Sequence, residues 1–202
     1  IVQDDLGSGH SSLLRMDRLP FDGVKIDQAL VRSAISKPFR ALELIYHLTL
    51  LANDFGVAVT VEGLEDEALI EAAAILGADY GQGYGIARAM PAYELMSWSR
   101  SWSFQIDPRR PRTALGALAG YMLWDRKLKI LTDWPDLAER FITEPSLVQR
   151  YLDCGGKIDS QLFTTLERDR TAALQEPRTR MYAQTRHELI ERLGTVWLEA
   201  RK

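Results

Sequence analysis

Apolar and polar positions alternate along the first ninety residues in two rhythms. Residues 1–5 begin apolar and end in two acids, 22–27 alternate around Val24 and Ile26, and 57–61 form a β-branched run of strand length. A last short strand is expected near 78–80. Between the strands, Leu42, Ile45, Leu48 and Leu51 or Ala52 recur at helical spacing in a helix opened by Ser36 or Lys37 and closed at Gly56. Leu69, Ile70, Ala73 and Leu76 repeat the pattern up to Gly77. The segment 13–19 is short and is broken by Pro20. Four strand-to-loop passages in one order, with helices between at least three of them, predict an α/β fold of parallel βα units.

The rhythm then changes. A tryptophan-bearing helix around Trp98 and Trp102 leads into 107–112, which holds two prolines and three arginines without an apolar face and reads as a linker. Beyond it only helical spacing is found. The first helix spans 113–131 with Leu115, Leu118, Met122 and Leu123 on one face, and a second is capped by Asp133 and carries Leu137 and Phe141. Pro145 starts a third, with Leu147, Val148, Tyr151 and Leu152, which stops at Cys154-Gly155-Gly156. A fourth runs from Asp159 or Ser160 to 174. The last begins at Pro177 and carries Tyr182, Leu189, Leu193, Val196 and Trp197. The expected division is an α/β unit over 1–106, a linker over 107–112 and an all-α helical bundle over 113–202.

Composition narrows the function classes. With 46% hydrophobic and 26% charged residues among 202, the chain has the make-up of a globular protein, and no apolar run reaches the roughly 20 residues that cross a bilayer. A single cysteine, Cys154, excludes an internal disulfide and fits the cytoplasm, and a net charge of −3 gives no global attraction to DNA or RNA. The chain opens inside an expected strand, without methionine or a signal-peptide pattern, and is expected to be a piece of a longer protein.

In parallel βα units the strand C-termini share one face, where active sites are built. Each of the four ends carries a chemically competent side chain: Asp4 with Asp5, then Lys25, then Glu62, then Gln82. Asp4 and Asp5 alone fit either a metal site or an exposed acidic turn, and Asp27 fits a helix N-cap. Taken jointly, carboxylates from separate strands suit hard cations such as Mg²⁺ or Mn²⁺, a lysine holds a water or a phosphate oxygen, and a glutamine amide reads a base or sugar edge. Metal-assisted hydrolysis of a phosphoester follows as the expected chemistry.

Four ordered motifs carry a family resemblance: Asp-Asp-Leu-Gly-Ser-Gly-His-Ser-Ser-Leu from Asp4, Val-Lys-Ile-Asp from Val24, Val-Glu-Gly-Leu-Glu from Val61, and Asp-Tyr-Gly-Gln-Gly-Tyr from Asp79. They resemble the EAL family of cyclic di-GMP phosphodiesterases. The resemblance implies the second half of a (β/α)8 TIM-type barrel, with Asp4, Asp5 and Glu62 toward the metal pair, Lys25 assisting the nucleophilic water, Gln82 on the guanine nucleotide and Glu65 steadying the loop after the paired aspartates. It also implies that the remaining metal ligands lie upstream of Ile1, so that this segment alone is expected to be inactive. Leu6, Ser8, His10 and Ala89 depart from the family pattern without removing a charged participant.

The bundle resembles chemoreceptor zinc-binding domains in its helix order and in the aromatic at Trp124, without the histidine and cysteine ligands of such a site. Tyr121 and Ser146 stand nearest the ligand positions, and no zinc is expected. A regulatory or oligomerising appendage is expected instead, with a homodimer as the expected assembly because a half-barrel exposes a sheet edge. Two function classes remain open at this point: a phosphodiesterase that converts cyclic di-GMP to linear pGpG, and a degenerate receptor or scaffold that binds cyclic di-GMP or a protein without turnover.

Overall fold

The computed structural model describes residues 1–7, 20–104, 106–131, 133–175 and 180–201. The expectations for 13–19, Ser8, His10 and Pro177 fall outside the described residues.

Four strands, β1 (Val2–Leu6), β2 (Gly23–Ile26), β3 (Ala58–Val61) and β4 (Tyr80–Gly81), form one sheet in the order β1-β2-β3-β4, all parallel. Val24, Ile26, Val59 and Val61 are fully buried, while the residues between them, Lys25 and Thr60, pair in register and are only half-buried. The period of two therefore gives β2 and β3 one covered face each, worth about 1.5–3 kcal/mol for each large side chain. The cover comes from α2 (Pro38–Asp54), which packs on β2 and β3 through Leu42, Ile45 and Ala52.

Ahead of it lie a short helix α1 (Gln28–Arg32) and a 3₁₀ turn (Ser33–Ile35) that the hydrophobic pattern did not announce. The N-cap reading of Asp27 holds, since its carboxylate accepts from Ala29 N at 2.7 Å. Helix α3 (Glu67–Ile75) begins at Asp66, which accepts from Leu69 N at 2.9 Å, and the tryptophan-bearing helix is α4 (Ala92–Ser101).

The helical bundle comprises α5 (Ala114–Leu131), α6 (Pro135–Thr143), α7 (Leu147–Asp153), α8 (Ser160–Gln175) and α9 (Arg180–Ala200). Two expected starts are corrected. Trp134 rather than Asp133 occupies the N-cap of α6, because Pro135 lacks an N–H and suits the first helical position. Ser146 rather than Pro145 caps α7, its hydroxyl accepting from Gln149 N at 3.2 Å.

Helix α5 is buried nearly all round because it is held between α3 on one side and α7 and α9 on the other. Gly116 and Gly120 admit this approach, since a Cβ would strike the Glu71 carboxylate at the first and Leu147 at the second. One buried cluster runs from the sheet through α3 and α5 to Trp197.

The segment 107–112 is pinned to this core. The buried Glu71 carboxylate accepts from Arg112 N at 2.8 Å, from Thr113 N at 2.9 Å and from Thr113 Oγ1 at 2.6 Å, and so caps α5 from α3. Glu71→Ala leaves two backbone N–H groups without an acceptor and is expected to lower stability by on the order of 3 kcal/mol in urea unfolding. A loss below about 1 kcal/mol would mean that water replaces the carboxylate at no net expense.

Inside the bundle, Asp125 is fully buried and accepts from Tyr182 Oη at 2.9 Å and Arg186 Nε at 2.7 Å, with Lys129 Nζ at 3.0 Å. Burial pushes the Tyr121 and Tyr182 hydroxyls above the usual phenol value of 10.0, and the Asp125 charge adds to it. A folded pKa above the unfolded one contributes stability that is complete below about pH 10 and declines as pH rises further. In an alkaline titration these two tyrosines are therefore expected to gain absorbance at the phenolate band only as helical circular dichroism is lost. Their ionisation ahead of unfolding would contradict the burial. Among the described residues no helix is long and apolar enough to cross a membrane.

Candidate functional site

Strand β1 pairs regularly with β2 at Val2 and Gln3, loses register, and regains it at Leu6. The irregularity falls on Asp4 and Asp5, and Asp5 takes a left-handed backbone at φ 59. In a regular strand adjacent side chains point to opposite faces; a bulge lifts that constraint, and aspartate tolerates the left-handed region better than most residues. Both carboxylates therefore reach the same rim.

Lys25 follows from strand alternation. It lies between the buried Val24 and Ile26 and points away from the helices, where its ammonium pairs with Glu62 and stands 3.3 Å from Asp4 Oδ1. The hydrogen bond it donates to the Glu62 carboxylate holds it above the ordinary 10.5 against the opposing effect of burial, with Asp4 assisting. Lys25 is thus a permanent cation across the neutral range.

Glu62 directly follows β3, where its N–H donates to Ile26 O at 3.1 Å. The turn beyond it depends on Gly63, at φ 71 with a Cβ position 2.8 Å from Gln28 Cβ, so a side chain there is excluded by both conformation and space.

One oxygen from each of Asp4, Asp5 and Glu62 lies within 4.8 Å of the others. Three hard donors in that compass suit Mg²⁺ or Mn²⁺ by ligand type and leave coordination positions for water or phosphate oxygens. Four of the residues singled out by strand-end position, Asp4, Asp5, Lys25 and Glu62, are thus brought together.

Gln82 stands exposed just past β4, tied to the same rim through its backbone: its N–H donates to Val61 O at 2.9 Å and its carbonyl accepts from Leu64 N at 3.1 Å. Glu65 is engaged elsewhere, pairing with Arg32 Nε at 3.3 Å and Arg201 Nη2 at 3.5 Å, while Arg201 Nε lies 3.3 Å from Asp66 Oδ2. Arg201 is the residue that sequence reading missed. It comes from the last turn of the chain, and no local pattern announces a contact from there to the loop after β3.

Residues 1–89 match the family model described as EAL domain. This segment is homologous to the EAL-domain cyclic di-GMP phosphodiesterase family. Among curated relatives, the EAL segment is similar to Cyclic di-GMP phosphodiesterase RocR of Pseudomonas aeruginosa, at 33% identity over 98 residues, covering 48% of this chain and 25% of that protein. It is also similar to Oxygen sensor protein DosP of Escherichia coli, at 32% identity over 98 residues, covering 48% of this chain and 12% of that protein. The chain thus spans a quarter or less of the length of these relatives. Among solved structures, one described as PaMucR Phosphodiesterase, c-di-GMP complex, matches at 33% identity with a TM-score of 0.43, over 47% of this chain and 38% of that one.

Proposed function

We propose that the EAL segment contributes Asp4, Asp5, Lys25 and Glu62 to a metal-dependent site that hydrolyses cyclic di-GMP to linear pGpG. The observation that carries this reading is the acidic triad, with all three carboxylates within 4.8 Å and a lysine laid across two of them. Divalent cations, when bound, supply electrophilic activation of the phosphodiester and acidify water.

The chain's own part is positional and electrostatic. Asp4, Asp5 and Glu62 would hold the cations. Lys25, charged at neutral pH and held between Asp4 and Glu62, would orient a water or a phosphate oxygen at the rim. Gln82 would meet the guanine edge with an uncharged amide. Glu65 would brace the loop that follows Asp5, in addition to pairing with Arg32 and Arg201.

The same reading assigns the four strands to half of a (β/α)8 TIM-type barrel, with 1–106 as the phosphodiesterase unit, 107–112 as the linker and 113–202 as a regulatory or oligomerising bundle, working in the cytoplasm. The segment alone is proposed to be inactive, since three carboxylates are a partial cage for a metal pair.

A homodimer is part of the proposal. Helix α4 buries none of its residues, and Tyr80 and Tyr84 at the β4 edge are exposed. A monomeric mass by light scattering at high protein concentration would remove it.

The deciding experiment is turnover of cyclic di-GMP with Mg²⁺ or Mn²⁺ by the full-length protein. Linear pGpG supports the hydrolase. Binding by calorimetry without product moves the reading to a receptor, and absence of both refutes it.

A further inference from the structure

The loop that begins at Glu62 runs to Asp66 without regular structure, and its two halves are held differently. The near half is fixed by its neighbours at the rim. Gly63 lies against Gln28 of α1, and buried Leu64 donates to Gln82 O at 3.1 Å and accepts from Gly85 N at 2.8 Å. The far half is held by charges from two other parts of the chain. Glu65 Oε1 lies 3.3 Å from Arg32 Nε, and Glu65 Oε2 lies 3.5 Å from Arg201 Nη2. Asp66 Oδ2 lies 3.3 Å from Arg201 Nε.

Arg201 is the member of this set that comes from outside the EAL segment. It stands just past α9, and its planar fork spans both carboxylates while lying over the Trp197 ring at 5.3 Å. Asp66 Oδ2 is buried and makes no hydrogen bond, and among the described residues Arg201 is its ion-pair partner. The other oxygen of Asp66 caps α3 through Leu69 N. Without Arg201 a buried anionic oxygen loses its counter-charge. The carboxylate then gains water only by turning away from Leu69 N or by moving with the loop. Arg32, which holds the second oxygen of Glu65, ends α1, the helix on which Gly63 rests. Release at Arg201 therefore loosens the loop from both sides.

We infer that Arg201 is a positioning residue for the acidic rim. Through Asp66 and Glu65 it holds the far half of the loop, and so sets the Glu62 carboxylate relative to Asp4 and Asp5. The end of the bundle is then a working part of the metal site. The inference rests on the proposed site and extends it, because Arg201 touches neither cation nor substrate and lies outside residues 1–89.

The test is calorimetric titration of the full-length protein with Mn²⁺. Arg201→Gln is expected to weaken Mn²⁺ binding by about tenfold, the low end of what residues behind metal ligands contribute. Arg192→Gln, at an exposed arginine on the same helix, is expected to change nothing. In a protein already carrying Glu65→Gln and Asp66→Asn, whose amide still caps α3, adding Arg201→Gln is expected to alter the affinity by less than about twofold, since its partners are gone. Equal Mn²⁺ affinity in the parent and Arg201→Gln, even with a lowered melting temperature, gives Arg201 a structural role alone and overturns the inference while the metal site stands. A further tenfold loss in the Glu65→Gln, Asp66→Asn protein overturns it as well. A parent that binds no Mn²⁺ removes the proposed site and the inference with it.

Discussion

Glu62→Ala is expected to lower Mn²⁺ affinity by at least about 100-fold and to abolish cyclic di-GMP turnover in the full-length protein. The lower bound follows from metal sites generally, where even residues behind the ligands cost about 10–100-fold when replaced. Glu62 does two things at the rim: it is one of the three carboxylates within 4.8 Å, and it holds the Lys25 ammonium. Its side chain is largely but not wholly buried, so circular dichroism should be unchanged and the loss can be assigned to the site.

Lys25→Met separates the two roles. The ammonium lies across Glu62 and Asp4 and so competes with a divalent cation for the same oxygens. Its removal is expected to leave Mn²⁺ affinity equal or higher while turnover falls by about 10²–10³-fold, the usual contribution of a positioned donor to developing negative charge. Calorimetry with Mn²⁺ and a pGpG assay read the two arms. If both variants lose metal affinity alike, Lys25 is a structural partner of the carboxylates and its proposed role at the water is wrong.

Asp125→Ala is expected to be the most destabilising single change in the bundle, by about 3–5 kcal/mol. The carboxylate is fully buried and accepts from Tyr182 and Arg186 with Lys129 alongside, so its loss leaves a largely buried guanidinium and a phenol without their acceptor. The melting temperature should drop by on the order of 10 °C. Replacing Asp125 by leucine together with Arg186→Met and Tyr182→Phe should recover most of the loss, because removing every member of a buried charged group is far cheaper than removing one. A single variant that melts within a degree or two of the parent would show that the network carries no net stability.

The placement of the site's side chains at the strand ends was legible because it rests on local order. A strand that stops at a polar residue before a glycine-bearing turn places that residue on the rim, and alternation between Val24 and Ile26 puts Lys25 on the face away from the helices, so the positions of Asp4, Asp5, Lys25 and Glu62 could be picked without coordinates. The helix starts were harder. Asp133 and Pro145 each carry a plausible start signal, yet Pro135 suits the first helical position of α6 and the Ser146 hydroxyl accepts from Gln149 N, so the caps fall one residue later in each case. Helix α1 was missed because five residues are too few to display an amphipathic period.

Sequence alone determined the parallel βα rhythm, the change to an all-helical second half and the acids at the strand ends, since each depends on neighbours a few residues apart. Only the tertiary structure decided that Asp4 and Asp5 face the same way, through a bulge against β2, and that Glu71 caps α5 across the linker. It also decided that Arg201 closes on Glu65 and Asp66 from the far end of the chain. Those contacts join residues that share no local pattern, and they form because burying the faces of α3, α5 and α9 together leaves these polar groups with one another as partners.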